Sequence, residues 1–286
     1  MNKVNAVMVG GLFDENGISA FARPVLFGTA GDAMRDALPD AVEACFFAHD
    51  DRESAVVGAQ DIALDAANRF ASLAALPESE HVLVLAAPFA LAEEDALFHL
   101  AETHLNTGYG VSVLSAEQQG FDAEGQPLPR DSRCYAAMFT WDMLKKALAS
   151  GADTLDGLVA AVAAGAQKGI AITNKIYVIC DGTAAFMAQV EMMQRVNYGL
   201  IKKGVQIFDL TSTYIAPDAD IAPGATILPG CHIRPGCKVG AGAVIGPNTI
   251  LEKAEIGAGT TVNNSQVYES TVGSNTTVGP FAYIRP

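Results

Sequence analysis

The chain has 286 residues, half of them apolar, and 32 acidic against 18 basic side chains give a formal net charge of −14. That excess of negative charge argues against a nucleic-acid backbone or an anionic membrane as the main partner. No apolar run approaches the ~20 residues of a membrane-spanning helix, and five thinly spread cysteines favour a reducing compartment over a disulfide scaffold. We therefore expect a cytoplasmic, globular protein that binds neither nucleic acid nor a membrane.

The first 183 residues predict an α/β domain. Short apolar runs that indicate strands alternate with stretches in which apolar side chains recur every three or four residues, as in helices. Such alternation predicts a mostly parallel sheet that is covered by helices on both faces. The predicted strands are Val4–Val9, 44–48, 82–86 and 110–114. The predicted helices are 53–75, 92–107 and 140–150.

The loop after the first strand is a candidate phosphate site, because open α/β sheets bind ligands beyond the carboxyl ends of their strands. Gly10 and Gly11 would let backbone N–H groups approach an anion. Asp14 and Glu15 follow closely, however, and carboxylates repel a triphosphate, while the nearest cation is Arg23. The pattern favours an ordinary strand and turn with surface acids, and a working phosphate loop is the alternative.

His49, Asp50 and Asp51 follow the second predicted strand and offer side chains that bind metals. Three adjacent residues rarely converge on one ion, so a solvated strand end is the favoured interpretation. The sequence contains no Ser nucleophile elbow and no HExxH motif.

Residues 184–203 predict a helix that leads into a repeat. Beyond it an aliphatic side chain recurs every six residues, and a small residue follows six of these anchors four positions later. This spacing fits neither a helix nor an ordinary strand, and it predicts a hexapeptide β-helix in which three hexads close one coil. The anchors of the strict run are Ile215, Ile221, Ile227, Ile233, Val239, Ile245 and Leu251. The small residues are Ala219, Ala225, Cys231, Cys237, Ala243 and Thr249.

Cys231, His232 and Cys237 resemble the beginning of a metal site inside this repeat. Both cysteines, however, occupy the small-residue position, and His232 precedes an inward anchor and should therefore point outward. Zinc usually takes four convergent ligands, and no fourth is evident. We therefore favour a structural role for these residues and predict no metal site.

The junction of the two halves is distinctive. It contains Asn-Tyr-Gly at 197–199, Gly-Val-Gln-Ile-Phe-Asp at 204–209 and Thr-Tyr-Ile at 213–215, and the last nine residues, 278–286, are Val-Gly-Pro-Phe-Ala-Tyr-Ile-Arg-Pro. An α/β domain joined by one helix to such a repeat resembles the bacterial bifunctional UDP-N-acetylglucosamine pyrophosphorylase / glucosamine-1-phosphate N-acetyltransferase family. The likeness is specific from about residue 186 onward and faint before it.

The resemblance implies a Rossmann-like nucleotidyltransferase fold over 1–183, a linking helix and junction over 184–209, and a left-handed β-helix over 210–286. It also implies a homotrimer that assembles through the β-helix. In this family the first domain joins UTP to N-acetylglucosamine-1-phosphate with Mg²⁺, and the second acetylates glucosamine-1-phosphate from acetyl-CoA. A sugar phosphate or a UDP-sugar is the ligand that this resemblance implies.

The family's first loop, Gly-x-Gly-Thr-Arg-Met followed by Pro-Lys, is largely absent here. Gly10 matches its first glycine and Gly11 stands beside it, but the second glycine and the arginine have no counterpart in 12–15. The family's lysine falls on Pro24, which leaves the neighbouring Arg23 as the only candidate substitute.

The family's two metal-binding positions are also changed. Its aspartate after the central strand falls on Pro88, and the asparagine of its Val-Asn-Asp segment falls on Cys180, next to Asp181. Loss of one group that stabilises developing negative charge often costs about 10²–10³ in rate. Several such groups are changed in this sequence, so we expect uridylyl transfer to be absent. A weak pyrophosphorylase that uses Arg23 and Asp181 as replacements is the alternative.

In the repeat, the family's phosphate-contacting arginine matches Arg285, and a guanidinium suits phosphate by bidentate hydrogen bonding. The family's general-base histidine and acetyl-CoA contacts lie on coils beyond Pro286. Solenoids normally end in a cap, whereas this sequence stops at Pro286, inside a coil. We therefore expect a fragment of an amino-sugar nucleotide enzyme that is inactive by itself and has no catalytic residues. A non-catalytic trimeric scaffold that binds or regulates through a sugar nucleotide is the alternative.

Overall fold

The chain divides into two compact units, Met1–Ala188 and Gln189–Pro286. Within the described residues, no helix combines the length and the apolar character needed to cross a membrane. The computed structural model describes residues 3–91, 96–118, 131–163, 168–173 and 176–286.

The first unit alternates strands and helices, as its sequence predicts, and its last helix continues into the second unit. In chain order its elements are β1 (Val4–Val9), β2 (Pro24–Val25), β3 (Gly28–Thr29), α1 (Ala30–Asp36), β4 (Val42–His49), β5 (Gln60–Ala63), a 3-10 helix (Arg69–Ala75), β6 (His81–Leu85), β7 (Phe89–Leu91), α2 (Ala96–Thr107), β8 (Val111–Gln118), β9 (Asp131–Thr140), α3 (Trp141–Ala149), α4 (Leu155–Ala163), β10 (Lys168–Thr173), β11 (Ile176–Val178) and α5 (Gly182–Lys202).

A seven-stranded sheet of order β10-β8-β9-β6-β1-β4-β5 forms the centre of this unit. Neighbouring strands are parallel except at β9, which runs antiparallel to β6 and β8. Because successive side chains of a strand point to opposite faces, β1 contributes side chains to two hydrophobic cores. Met8 packs in one core with Leu97 of α2, whereas Val7 packs in the other with Leu144 of α3 and Leu158 of α4. The mostly parallel sheet with helices on both faces is confirmed.

The predicted helix over 53–75 is wrong. That segment holds turns, the edge strand β5 and the 3-10 helix Arg69–Ala75. Gly58 adopts a positive φ of +80°, which an α-helix does not accommodate, and the Asn68 side chain begins the 3-10 helix by accepting the N–H of Phe70. Of the predicted helix 92–107, residues 92–95 lie outside the described residues and the rest forms α2.

The second unit is a β-helix, as the hexapeptide spacing predicts. Each of the first four coils contributes one short strand to each of three parallel sheets, and the last coil contributes a strand to two of them. The first sheet contains β12 (Gln206–Ile207), β15 (Thr226–Ile227), β18 (Val244–Ile245), β21 (Thr261–Val262) and β24 (Thr277–Val278). The second contains β13 (Tyr214–Ile215), β16 (His232–Ile233), β19 (Ile250–Glu252), β22 (Gln266–Tyr268) and β25 (Tyr283–Ile284). The third contains β14 (Asp220–Ile221), β17 (Lys238–Val239), β20 (Glu255–Ile256) and β23 (Thr271–Val272).

The aliphatic anchors of the repeat fill the interior of the coils. Ile227 pairs with Ile245, and Ile233 pairs with Leu251, so equivalent anchors stack from coil to coil. All four side chains are fully buried. Stacking of this kind makes each coil depend on its neighbours for a continuous apolar core.

Candidate functional site

The crevice of the first unit lies where the strand order changes direction. The chain passes from β1 to β4 on one side of β1, and later returns to β6 on its other side. Open α/β sheets bind ligands at such a switch point, outside the carboxyl ends of the strands. Residues 10–23 follow β1 and residues 86–88 follow β6. The predicted residues Gly10, Gly11 and Arg23 therefore lie at this crevice.

Both glycines of the first loop are engaged within the protein. The N–H of Gly10 donates to the carbonyl oxygen of Ala48 at 2.8 Å. The N–H of Gly11 donates to Oε2 of Glu53, also at 2.8 Å. An incoming phosphate would therefore meet backbone donors that already have acceptors.

Glu53 belongs to the crevice, although sequence reasoning missed it. Its second oxygen, Oε1, accepts the hydroxyl of Ser19 at 2.6 Å, and the side chain is nearly buried. Arg69 lies beside the same loop and donates to the carbonyl oxygens of Val9 at 3.0 Å and of Gly10 at 3.2 Å. No local pattern in the sequence indicated Glu53, because it lies 42 residues from Gly11 along the chain.

Arg23, the candidate cation, is paired with Asp14, and both side chains are close to nine-tenths buried. The other oxygen of Asp14 accepts the N–H groups of Asn16 and Ile18, each at 2.9 Å. The expectation of surface acids is therefore wrong for Asp14, because its charge is compensated inside the loop. It holds for Glu15, which is exposed.

The two positions that correspond to the family's metal ligands are brought together. Val178 of β11 pairs with Phe89 of β7, and the N–H of Ile179 donates to the carbonyl oxygen of Pro88 at 2.9 Å. Cys180 follows directly and is exposed. The pairing therefore sets Pro88 alongside the segment that leads to Cys180.

Asp181 lies at the start of α5, where Oδ1 accepts the N–H of Ala184 at 2.8 Å. A Cβ added to Gly182 would lie 3.6 Å from Nη1 of Arg23, so Arg23 reaches the same place. Magnesium needs several oxygen ligands, and Pro88 and Cys180 supply none from their side chains. In the described part of the chain, no three His, Cys, Asp or Glu side chains are grouped so that they could hold a metal ion.

His49, Asp50 and Asp51 do not converge on one point. Nε2 of His49 lies 3.0 Å from Oδ1 of Asp61, while Asp50 binds the guanidinium of Arg52. That hydrogen bond is the main cause of a lowered Asp50 pKa. The first two side chains thus have separate partners.

In the repeat, Cys231 and Cys237 are buried in the coil interior, and burial raises the pKa of both thiols. His232 points outward, and its ring stacks on that of Tyr214 with the centroids 5.1 Å apart. These three side chains therefore do not converge. Arg285 is exposed, and its guanidinium lies 5.8 Å from the centroid of the Tyr283 ring.

The repeat is similar in sequence to known transferases. The model of the family "Bacterial transferase hexapeptide (six repeats)" matches residues 218–253. "Bifunctional protein GlmU" of Bacillus velezensis is 39% identical over 106 residues, which are 37% of this chain and 23% of that protein. GlmU of Clostridioides difficile is 40% identical over 95 residues, or 33% of this chain and 21% of the relative. The resemblance to the bacterial bifunctional transferase family is confirmed for this part of the chain.

The aligned region thus covers less than a quarter of these GlmU proteins. A crystal structure of 2-C-methyl-D-erythritol 4-phosphate cytidylyltransferase from Thermus thermophilus matches 65% of this chain and 97% of its own, with a TM-score of 0.50. At 17% identity this likeness shows the fold alone. A nucleotidyltransferase fold followed by a GlmU-like hexapeptide β-helix is therefore the architecture of this protein.

Proposed function

We propose that this protein is a cytoplasmic, trimeric member of the enzyme family of UDP-N-acetylglucosamine biosynthesis. Its repeat is of the glucosamine-1-phosphate acetyltransferase type, and its first domain is a non-catalytic relative of the uridylyltransferases. GlmU similarity over the repeat supports the family. All five cysteines are free, which supports a reducing compartment.

One observation carries the proposal for the first domain. Strands β7 and β11 pair, and Pro88 accepts the N–H of Ile179, the residue before Cys180, so the two positions that would hold Mg²⁺ lie on adjoining segments. A proline side chain has no donor atom, a thiol is a poor ligand for this hard cation, and Asp181 already caps α5. Mg²⁺ does not fit these residues, so no step of a reaction is assigned to it.

Arg23 is a poor replacement for the lost cations. Its ion pair with Asp14 leaves no net charge, and a triphosphate would have to displace a nearly buried internal carboxylate. Charge compensation during transfer to the α-phosphorus would therefore have to come from outside these residues. This argues against the alternative of a weak pyrophosphorylase.

In the repeat we assign Arg285 to the phosphate of an amino-sugar phosphate. The side chain is exposed beside Tyr283 and carries a planar pair of donors that suits a phosphate. The family resemblance of the surrounding residues supports the assignment.

The full chain is tested by measuring pyrophosphate release from UTP and N-acetylglucosamine-1-phosphate with Mg²⁺. A family enzyme with both metal ligands intact serves as the parallel control. We expect a rate at least about 10⁴-fold below that enzyme, because two or more contributions of about 10²–10³ are missing. A rate within 100-fold of the control would refute the proposal. Binding of UDP-N-acetylglucosamine without turnover would favour the sugar-nucleotide-binding scaffold.

A further inference from the structure

The carboxylate of Glu53 lies at the end of β1, in the crevice where sheets of this type bind ligands. It comes from the loop after β4 and is only 6% exposed. One oxygen accepts the N–H of Gly11 at 2.8 Å, and the other accepts the hydroxyl of Ser19 at 2.6 Å. Backbone N–H groups and hydroxyls are also the donors by which such loops hold phosphate oxygens.

Neither of the two glycine positions beside this carboxylate favours a residue with a side chain. A Cβ on Gly10 would lie 2.4 Å from Oε2 of Glu53 and 2.8 Å from the carbonyl oxygen of Ala48, which is too close for any side chain. Gly11 has φ +79°, a conformation that favours glycine. The glycine pair, which would suggest a phosphate loop, is therefore explained by an internal contact.

A buried carboxylate is costly unless hydrogen bonds and a cation compensate it. Arg69 lies near enough to Glu53 for the two charges to influence each other. Burial lowers the pKa of Arg69, and the charge of Glu53 acts in the opposite direction. Its guanidinium is held beside the loop by the carbonyl oxygens of Val9 and Gly10. Two donors that bind the carboxylate, with a cation nearby, thus form an oxyanion site whose anion is part of the chain.

We propose that Glu53 is a built-in anion, whose carboxylate occupies the phosphate position of the glycine loop and excludes phosphates from it. The proposal rests on the proposed function only for the assignment of this crevice as the former nucleotide site. The oxyanion site itself rests on the hydrogen bonds that Gly11 and Ser19 donate to Glu53. Once the carboxylate is removed, this site should accept a small oxyanion, and inorganic phosphate is the probe.

The test follows thermal unfolding of the full chain in inorganic phosphate, with chloride at equal ionic strength as the reference. The Tm of the wild-type protein should differ between the two salts only by the small, non-saturating rise that phosphate gives to folded proteins in general. Glu53→Ala should have a lower Tm in chloride, because Gly11 and Ser19 lose their acceptor. Phosphate should then raise the Tm of this variant in a saturable way, by about 2–5 °C at ten times its Kd.

Glu43→Ala is the matched control, because it removes an exposed glutamate from β4, and it should behave like the wild type. Adding Ser19→Ala to Glu53→Ala removes one donor and should abolish most of the phosphate effect. If Glu53→Ala does not fold, Glu53→Gln decides, because the amide fills the same space without charge. Glu53→Gln should be less stable than the wild type at pH 7 and indifferent to phosphate.

The proposal that Glu53 is a built-in anion would be overturned if phosphate raised the Tm of the wild type as much as that of Glu53→Ala. It would also be overturned if Glu53→Ala folded but was not stabilised by phosphate. A Glu53→Gln variant as stable as the wild type would overturn it as well. Each of these results concerns the oxyanion site alone. Pyrophosphate release by the wild-type chain would instead contradict the proposed function, whatever phosphate does to Glu53→Ala. The two failures are therefore distinguishable.

Discussion

His104 of α2 is a titratable side chain that is fully buried in the first domain. Its Nε2 lies 3.1 Å from Nδ1 of His81, and its Nδ1 lies 3.0 Å from Oγ of Ser112. Burial, with a smaller contribution from His81, lowers the pKa of His104 to about 4. Burial also lowers the pKa of His81, against the opposing charge of Glu80. His104 is therefore neutral in the folded protein at pH 7, and protonation would disturb this hydrogen-bonded chain.

The folded protein should lose stability as the pH falls from about 6.5 to about 4. In this window the unfolded chain takes up a proton at His104 that the folded chain does not, so acid favours unfolding. The full loss is on the order of 3 kcal/mol. Thermal unfolding at pH 7 and pH 4.5 checks this: His104→Gln should be less stable than the wild type at pH 7 but lose less on acidification.

His99→Gln is the control for this experiment, because it removes an exposed imidazole from the same helix. It should keep the acid sensitivity of the wild type. An equal loss in the wild type and in His104→Gln would show that other groups cause the acid effect.

At the scale of elements, the glycines at the corners of the β-helix set how closely the coils approach. Gly257 and Gly273 occupy equivalent positions, each one residue after an anchor, and neither has a positive φ. A Cβ on Gly257 would lie 2.4 Å from the backbone nitrogen of Ser274 in the next coil. A Cβ on Gly273 would find no atom closer than Oγ1 of Thr276, at 3.9 Å. Glycine is therefore required at Gly257. The position that would stack on Gly273 lies beyond Pro286, so the free space at Gly273 belongs to this 286-residue chain alone.

Gly257→Ala should destabilise the β-helix by about 1–3 kcal/mol, because the added methyl group must push two backbones apart. Gly273→Ala should stay within about 0.5 kcal/mol of the wild type. Far-UV circular dichroism follows unfolding, and the single tryptophan, Trp141, reports the first domain separately. Equal stability of the two variants would contradict the coil-to-coil contact, and an altered Trp141 transition would place the effect outside the repeat.

The repeat could be predicted from sequence because each hexad carries the same information. An anchor such as Ile233 needs only its own coil and its neighbours to define its environment, and its period of six excludes the other regular structures. The segment 53–75 could not be predicted in this way. A spacing of three or four residues between apolar side chains also occurs in turns and in a 3-10 helix. The positive φ of Gly58 excludes one continuous α-helix, and the apolar spacing does not reveal this φ.

The candidate site was predictable only in part. Gly10, Gly11 and Arg23 were found because they follow the first strand, and their position at the crevice follows from sheet topology. The partners of these residues could not be found from local patterns. Glu53 is 42 residues from Gly11 in the chain, and only the adjacency of β1 and β4 brings them together. Asp14 looked like a surface acid because its pairing with Arg23 depends on the fold of the loop.

At the scale of the whole molecule, charge is unevenly divided between the two halves. Residues 210–286 hold 5 acidic and 4 basic side chains, so this half carries −1 of the net charge of −14 and residues 1–209 carry −13. The acidity of the first half repels nucleotide phosphates, which agrees with a cleft that holds its own carboxylate. The near-neutral repeat, by contrast, can associate with copies of itself at little electrostatic cost.

The proposed trimer should therefore respond to salt in a particular direction. Three acidic domains in one assembly repel one another, and this repulsion is screened as the Debye length falls from about 14 Å at 50 mM salt to about 4 Å at 500 mM. The repeat is close to neutral, so we expect few ion pairs in the proposed interface and no weakening of it by salt. Light scattering should give about three times the chain mass of 29.8 kDa at 500 mM salt, with partial dissociation on dilution at 50 mM. A single-chain mass at both salt concentrations would contradict the trimer, and dissociation at high salt instead of low salt would indicate an interface held by ion pairs.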